Sequence, residues 1–261
     1  MYNLTEVAVA NEAFWSALRK KLLGKGLGIG DVEFDKGRLP VPDTFGEGVY
    51  FSQLCGYPFM TRFANQGSLL GSPSYAFPGC VGATHVAYFL VREGDPATSL
   101  QDMRGRIFGC NSLLSNTGMN LPRLVIARIA EGRAFFSAVR MTGGHNASLD
   151  RLLDESIDLC SIDCVTWGFF QKFRPEMAAR FRVLGETPRS PTLPFVTSVA
   201  TASRDRQALA DALREFMADP ATADIRDSLN LTDIVDIDIS VYARLLDYEL
   251  EAAKLGYAAI H

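Results

Sequence analysis

Residues 143–173 read GGHNASLDRLLDESIDLCSIDCVTWGFFQKF, and this stretch decides the fold class. Residues 146–156 read as a helix, 157–162 as a short apolar strand and 164–173 as a second helix. Upstream lie a strand (RIFGC, 106–110), a helix (117–131) and a strand (AFFSAVRM, 134–141); downstream, FRVLGE (181–186) is another strand. Strands that alternate with helices predict parallel sheets covered on both faces. The run VAYFLV (86–91) fits the same scheme, being a fully apolar strand of the kind buried in parallel sheets.

Working outward, NEAFWSALRKKLL (11–23) carries Phe14, Trp15, Leu18 and Leu22 as a helical stripe. GKGLGIG (24–30) fails as a dinucleotide loop, since its glycines alternate strictly and follow a helix; Gly24 reads as a helix stop. Residues 47–93 are strand and loop, and ATSLQDMRG (97–105) is a short capped helix. After the proline-rich crossing TPRSPTLPF comes the strand FVTSVA (195–200), then helices near 204–217, 220–229 and 240–254. Residues 97–186 therefore form a compact series, entered near VREGDP (91–96) and left near ETPRSP (186–191). This predicts a first lobe over 1–92, an inserted lobe over 93–188 and a return to the first lobe over 189–261. Two extended crossings would make a hinge, with a cleft between the lobes.

The composition narrows the function. The 261-residue chain is 48% hydrophobic and 21% charged, with a net charge of −4 and charges of both signs interleaved. RKK at 19–21 reads as the solvated face of a helix, so nucleic acid is not an expected partner. No apolar run reaches the roughly 18–20 residues of a membrane span. The N-terminus shows no signal-peptide pattern, which leaves a cytoplasmic protein or a processed form of an exported one. Of five cysteines, Cys55 and Cys80 lie in Gly/Pro-rich loops and could pair in an oxidising compartment, whereas Cys110, Cys160 and Cys164 read as buried free thiols.

The candidate site lies at three strand-to-helix turns. In open α/β sheets ligands bind beyond the carboxyl ends of strands, where helix N-termini expose N–H groups and a partial positive charge. FGCNSLLSNTGMNLPR (108–123) places Ser115, Asn116 and Thr117 ahead of Gly118, more polar groups than a cap needs. In MTGGHNASLDRLL two glycines precede His145 and Asn146, which point at a ligand or cap the helix. In DLCSIDCVTW, Asp163 is either an N-cap or a carboxylate that meets a cation or hydroxyl of the ligand. There is no G-x-S-x-G, no H-E-x-x-H and no cysteine–histidine signature, and Cys160 and Cys164 lack the context of a zinc site. No metal and no cofactor is expected.

At these residues the chain resembles the phosphonate/phosphate-type substrate-binding proteins of ABC transporters. The matching pieces are VAYFLVREGDPATSLQDMRGRIFG, the S-N-T-G turn, GGHNASLDRLLDESIDLCSIDCVTW and PRSPTLPFVTS. The resemblance implies an α/β, two-lobed type II periplasmic-binding-protein-like fold that closes on a small anionic ligand. It implies a transient partner, the ABC permease, a periplasmic location and no enzymatic activity. Carried over by residue, Ser115, Asn116 and Thr117 would hold an oxyanion head, His145 would contact the ligand and Asp163 would meet an amine. Tyr57, in SQLCGYPF (52–59), would stand at the cleft mouth. The alternatives are a binder or sensor of another metabolite, such as a sulfonate or pyrimidine precursor, or an enzyme on the same scaffold. An aromatic in the cleft, Tyr57 or Trp167, would favour the former.

Overall fold

A computed structural model describes residues 2, 4–29, 32, 34 and 49–261. Gly30 of the alternating-glycine run and the first two residues of the 47–93 stretch lie outside them. Among the described residues the strands are β1 (Ser52–Gln53), β2 (Gly67–Tyr75), β3 (Thr84–His85), β4 (Ala87–Arg92), β5 (Ile107–Cys110) and β6 (Ala138–Met141). They continue with β7 (Leu159–Asp163), β8 (Phe181–Glu186), β9 (Ser190–Pro191), β10 (Phe195–Ser198) and β11 (Leu231–Val235). The helices are α1 (Ala8–Gly24), α2 (Gly56–Pro58), α3 (Leu121–Ala130), α4 (His145–Leu153) and α5 (Cys164–Phe173). After them come α6 (Pro175–Ala178), α7 (Ser203–Ala218), α8 (Ala223–Ser228) and α9 (Ile239–Lys254).

Two sheets organise the chain. The first has the order β1-β10-β2-β11 and only antiparallel neighbours. The expected helical stripe is its cover: Phe14, Trp15, Leu18 and Leu22 of α1 pack with Leu209, Leu213 and Phe216 of α7 in one core. Burying each such side chain contributes about 1.5–3 kcal/mol, and so these two helices hold the sheet. The second sheet runs β6-β5-β7-β4-β8. There β5 is parallel to β6 and β7, as alternating strands and helices predict. The apolar run before residue 92 departs from that scheme, because β4 pairs antiparallel with both β7 and β8. Continuous apolarity reports burial on both faces, which a covered mixed sheet demands as much as a parallel one.

Strand β3 pairs antiparallel with β9 as a two-stranded ribbon (Thr84 opposite Pro191, His85 opposite Ser190). A boundary at 92/93 therefore falls behind β4, whose pairing lies in the second sheet. Likewise α9, expected with the first lobe, packs Leu245, Tyr248 and Ala252 into the core that holds Phe108 of β5 and Leu121 and Leu124 of α3. The same helix reaches back through Tyr242, whose hydroxyl donates to Thr192 O at 2.7 Å and lies 2.6 Å from Ser72 Oγ. Sequence patterns report that α9 has an apolar face, not which sheet receives it.

The sheets meet through apolar contacts as well. Cys164, Val165 and Phe169 at the start of α5 join the core of Tyr75, Phe77 and Phe195. A Cβ at Gly168 would overlap the Phe77 ring, so only glycine lets α5 lie this close to the segment after β2.

Candidate functional site

Three helix starts project from the second sheet, as the sequence predicts, and the structure draws them together at His145. After β5 the chain makes a π-helical turn at Asn116–Asn120 that leads into α3. Ser115 caps it: its Oγ accepts from Gly118 N at 2.9 Å. Gly118 is required here, because a Cβ would overlap Asn111 Oδ1. Asn116 does not present its amide to the solvent. Its Nδ2 donates to Ser190 Oγ at 3.0 Å, and its Oδ1 accepts from Asn120 Nδ2 at 3.1 Å. Asn116 therefore ties the helix start to the crossing ribbon.

Thr117, His145 and Asp163 come together. His145, the first residue of α4, has its Nε2 3.2 Å from Asp163 Oδ2 and 3.4 Å from Thr117 Oγ1. The carbonyl of Thr117 is held from below by Ser161 Oγ at 2.7 Å. Asp163 is the N-cap of α5: Oδ1 accepts from Val165 N at 3.1 Å and Thr166 N at 2.9 Å, and Oδ2 accepts from Thr166 Oγ1 at 2.6 Å. With His145 as a further donor, both carboxylate oxygens are engaged by the protein itself. The capping alternative for Asp163 thus accounts for its geometry.

His145 is held neutral, since burial pushes its pKa down against the upward pull of Asp163. With Nε2–H donating to Asp163, the remaining ring atom Nδ1 is buried and has no protein partner. Asn146 Oδ1, next along α4, is likewise buried and unpartnered. Thr117, His145 and Asp163 do not form a proton relay. Thr117 and Asp163 approach the same nitrogen, so the imidazole cannot take a proton from one while giving a different one to the other.

Tyr57 and Trp167 are both buried in apolar cores. Tyr57 packs in α2 with Tyr242, Leu245 and Tyr248, and burial together with the neighbouring Glu249 carboxylate pushes its hydroxyl up to about 12. Trp167 stacks on Phe170 at 5.8 Å and meets Phe181 edge-on, inside the second core. Cys55 and Cys80 are free thiols: Cys55 Sγ accepts from Asn116 N at 3.5 Å, and Cys80 lies beside Cys164 instead.

Several groups that face this cluster are absent from the sequence reading. His85, on β3, is fully buried, and neither ring nitrogen has a protein partner. Burial lowers its pKa to about 4, opposed by Asp163 and reinforced by His145. From the first-sheet side come Tyr2 and Tyr75, packed edge-to-face at 5.4 Å, with Gln53 Nε2 donating to the Tyr75 hydroxyl at 3.0 Å. The Tyr2 hydroxyl is buried without a partner, and its pKa is raised by burial and then by the charge of Asp163. The one sequence signal was scarcity: the chain has only three histidines, and two of them feel each other's charge here.

The arrangement offers groups that can bind a polar ligand. Helix starts supply N–H donors and a positive dipole end, neutral imidazoles supply one donor and one acceptor each, and buried hydroxyls complete a polar cluster. Among the described residues no group of three or more His, Cys, Asp or Glu side chains is placed to hold a metal ion. Two surface hollows lie beside the site elements: one against Trp167, Phe181 and Val183, the other between the ribbon and α9, lined by Ser190.

Comparison with known proteins agrees with the geometry. Residues 58–242 match the family described as "ABC transporter, phosphonate, periplasmic substrate-binding protein". Among curated proteins no sequence relative matches. By fold the chain is similar to XAC2383 from Xanthomonas citri bound to ATP, with a TM-score of 0.69 at 16% identity, covering 92% of this chain and 91% of that one. It is similar to a binding protein component of an ABC phosphonate transporter from Pseudomonas aeruginosa (TM-score 0.68, 14% identity, 79% of this chain and 69% of that one). A third is PhnD1 from Prochlorococcus marinus in complex with methylphosphonate (TM-score 0.65, 12% identity, 78% and 79%). At such identities the likeness is one of fold, the two-lobed type II periplasmic-binding architecture that the sequence predicts.

Proposed function

The chain belongs to the family of phosphonate-type periplasmic substrate-binding proteins of ABC transporters, and on that premise we propose that it captures a small phosphonate- or phosphate-like oxyanion between its lobes. The observation that carries this reading is the junction of Thr117, His145 and Asp163 at the starts of helices, with unpartnered His85, Tyr2 and His145 Nδ1 around it. Helix N-termini attract anions, and buried polar atoms without partners are groups that a polar ligand satisfies.

We place the lobe crossing at the β3–β9 ribbon, with β4–β8 and α9 moving as the inserted lobe. The proposed ligand groups are Thr117, His145, Asn146 and His85, with Ser115 and Asp163 holding helix starts in place. Asn116 closes the lobes through Ser190, and Tyr57 stands outside the cluster. The closed form would then dock on a membrane permease, whose capture of the ligand completes transport; no helix among the described residues is long and apolar enough to cross a membrane itself. The absence of a relay at Thr117 favours binding over turnover. Each hydrogen bond to a charged ligand contributes about 1.5–3 kcal/mol. Four or five of them, less several kcal/mol for association and closure, give roughly micromolar affinity.

Calorimetric titration tests the reading with methylphosphonate, phosphate, methanesulfonate and ATP as probes. Micromolar binding of methylphosphonate or phosphate, weakened by Thr117→Val and His145→Ala, supports it. Binding of methanesulfonate alone overturns the ligand class. Binding of ATP without phosphate would assign the cluster to a phosphate group carried on a nucleotide.

A further inference from the structure

Two of the five free cysteines meet. Cys80 Sγ lies 3.4 Å from Cys164 Sγ, although 84 residues separate them in the chain. Cys80 sits in the loop between β2 and β3, half-buried against the first-sheet core, whereas Cys164 opens α5 directly after Asp163 and is buried. The backbone builds the contact. Gly79 has a φ of +89°, and a Cβ there would stand 2.9 Å from the Cys164 Cβ and 2.9 Å from Val86 Cγ2, so only glycine allows the loop to pass this close to α5.

The two sulfurs are also unequal. The two sulfurs lie within hydrogen-bond reach of each other, and that contact draws the Cys80 thiol down, while the contact and burial push the Cys164 thiol up. The more acidic sulfur is the half-exposed one, and the buried one stands behind it. That is the order of an attacking and a resolving thiol.

We propose that Cys80 and Cys164 form a disulfide by exchange with a small disulfide such as oxidised glutathione, and that the bond latches the β2–β3 loop to the start of α5. The Cys80 thiolate attacks one sulfur of the small disulfide, making a mixed disulfide and expelling one thiolate, which takes up a proton. Cys164 then attacks the Cys80 sulfur, and its proton goes to the second departing thiolate. The two protein thiols lose two electrons, and one small disulfide becomes two thiols. The sulfurs need to close by roughly 1.4 Å to reach a bond length of about 2.05 Å. Because α5 straddles the two sheets, with Cys164, Val165 and Phe169 in the first-sheet core and Trp167 and Phe170 in the core of the second, the bond adds a covalent tie to a contact that joins them and holds the oxidised protein with its lobes together. The proposal stands on the sulfur contact and does not depend on the ligand proposed above.

The test exposes the purified chain to oxidised glutathione, denatures it, counts thiols and maps the linked peptides. The expected result is a fall from five thiols to three, with one crosslink joining Cys80 to Cys164, and slower amide exchange at the β3–β9 ribbon than in the reduced protein. Cys80→Ser and Cys164→Ser should each abolish the internal crosslink. Five remaining thiols, or a crosslink to Cys55, overturns the pairing. A crosslink that leaves ribbon exchange unchanged overturns the latch.

Discussion

His145 Nε2 lies 3.2 Å from Asp163 Oδ2, which joins the first residue of α4 to the residue that caps α5. One contact thus orients two helix starts, and it fixes which imidazole nitrogen is left over. With Nε2–H directed at the carboxylate, Nδ1 is left as a buried acceptor without a protein partner.

Asp163 should matter more for stability than His145 does. Replacing it with alanine removes the acceptor of two backbone N–H groups, the Thr166 hydroxyl and the imidazole. We expect Asp163→Ala to lose roughly 2–4 kcal/mol and Asp163→Asn about half of that, since the amide oxygen still caps α5. Urea midpoints at unchanged slope would measure it. An alanine variant as stable as the parent would refute the capping account.

Thr117→Val keeps the shape of the side chain and removes its hydroxyl, which makes only a 3.4 Å contact to His145 in this structure. The fold should barely notice. Affinity for methylphosphonate should fall by about ten-fold or more, the equivalent of one charged hydrogen bond. Equal affinity in parent and variant would remove Thr117 from the ligand groups.

Tyr57→Phe separates packing from binding. The ring sits among Tyr242, Leu245 and Tyr248, with its hydroxyl beside Glu249, so the expected stability change is about 0.5–1.5 kcal/mol. Calorimetry should show affinity within about two-fold of the parent, a change near RT ln 2. A larger loss would bring Tyr57 back to the cleft mouth.

His85 and His145 set the acid side of the stability curve. Burial lowers both pKa values in the fold, His85 to about 4 from an ordinary 6.5. The unfolded chain then binds more protons than the folded one between those values, so stability is full above pH 6.5 and declines as the pH falls toward 4. The His85 part of that loss is about 3 kcal/mol, and His85→Gln should flatten the slope of urea midpoints between pH 7 and pH 4.5. A parent whose midpoint stays level over that range would show that His85 titrates normally.

What the sequence determined by itself is local: where helices begin and end, and what caps them. NASLDRLL, CVTWGFF and the stripe of α1 announce helices through spacing. Ser99 with Asp102 forms the capping box of the short helix over Leu100–Met103, and Ser115 and Asp163 are the caps that their positions suggest. These signals are legible because a helix start satisfies its N–H groups within a few residues. The overall two-lobed class followed from the order of such elements.

Tertiary structure decided whatever depends on residues far apart in the chain. The apolar face of β4 accepts parallel or antiparallel neighbours equally, and only the paths of β7 and β8 settled the direction. The Leu231–Val235 strand escaped the sequence reading because its burial alternates weakly and its partner, β2, lies over 150 residues upstream. Tyr2, Tyr75, His85 and Cys80 come to Asp163 and Cys164 from the first sheet and the crossing ribbon, and nothing in their own neighbourhoods marks them. Local hydrogen bonding writes helix caps into sequence, whereas the polar cluster and the sulfur pair arise where the two sheets come together.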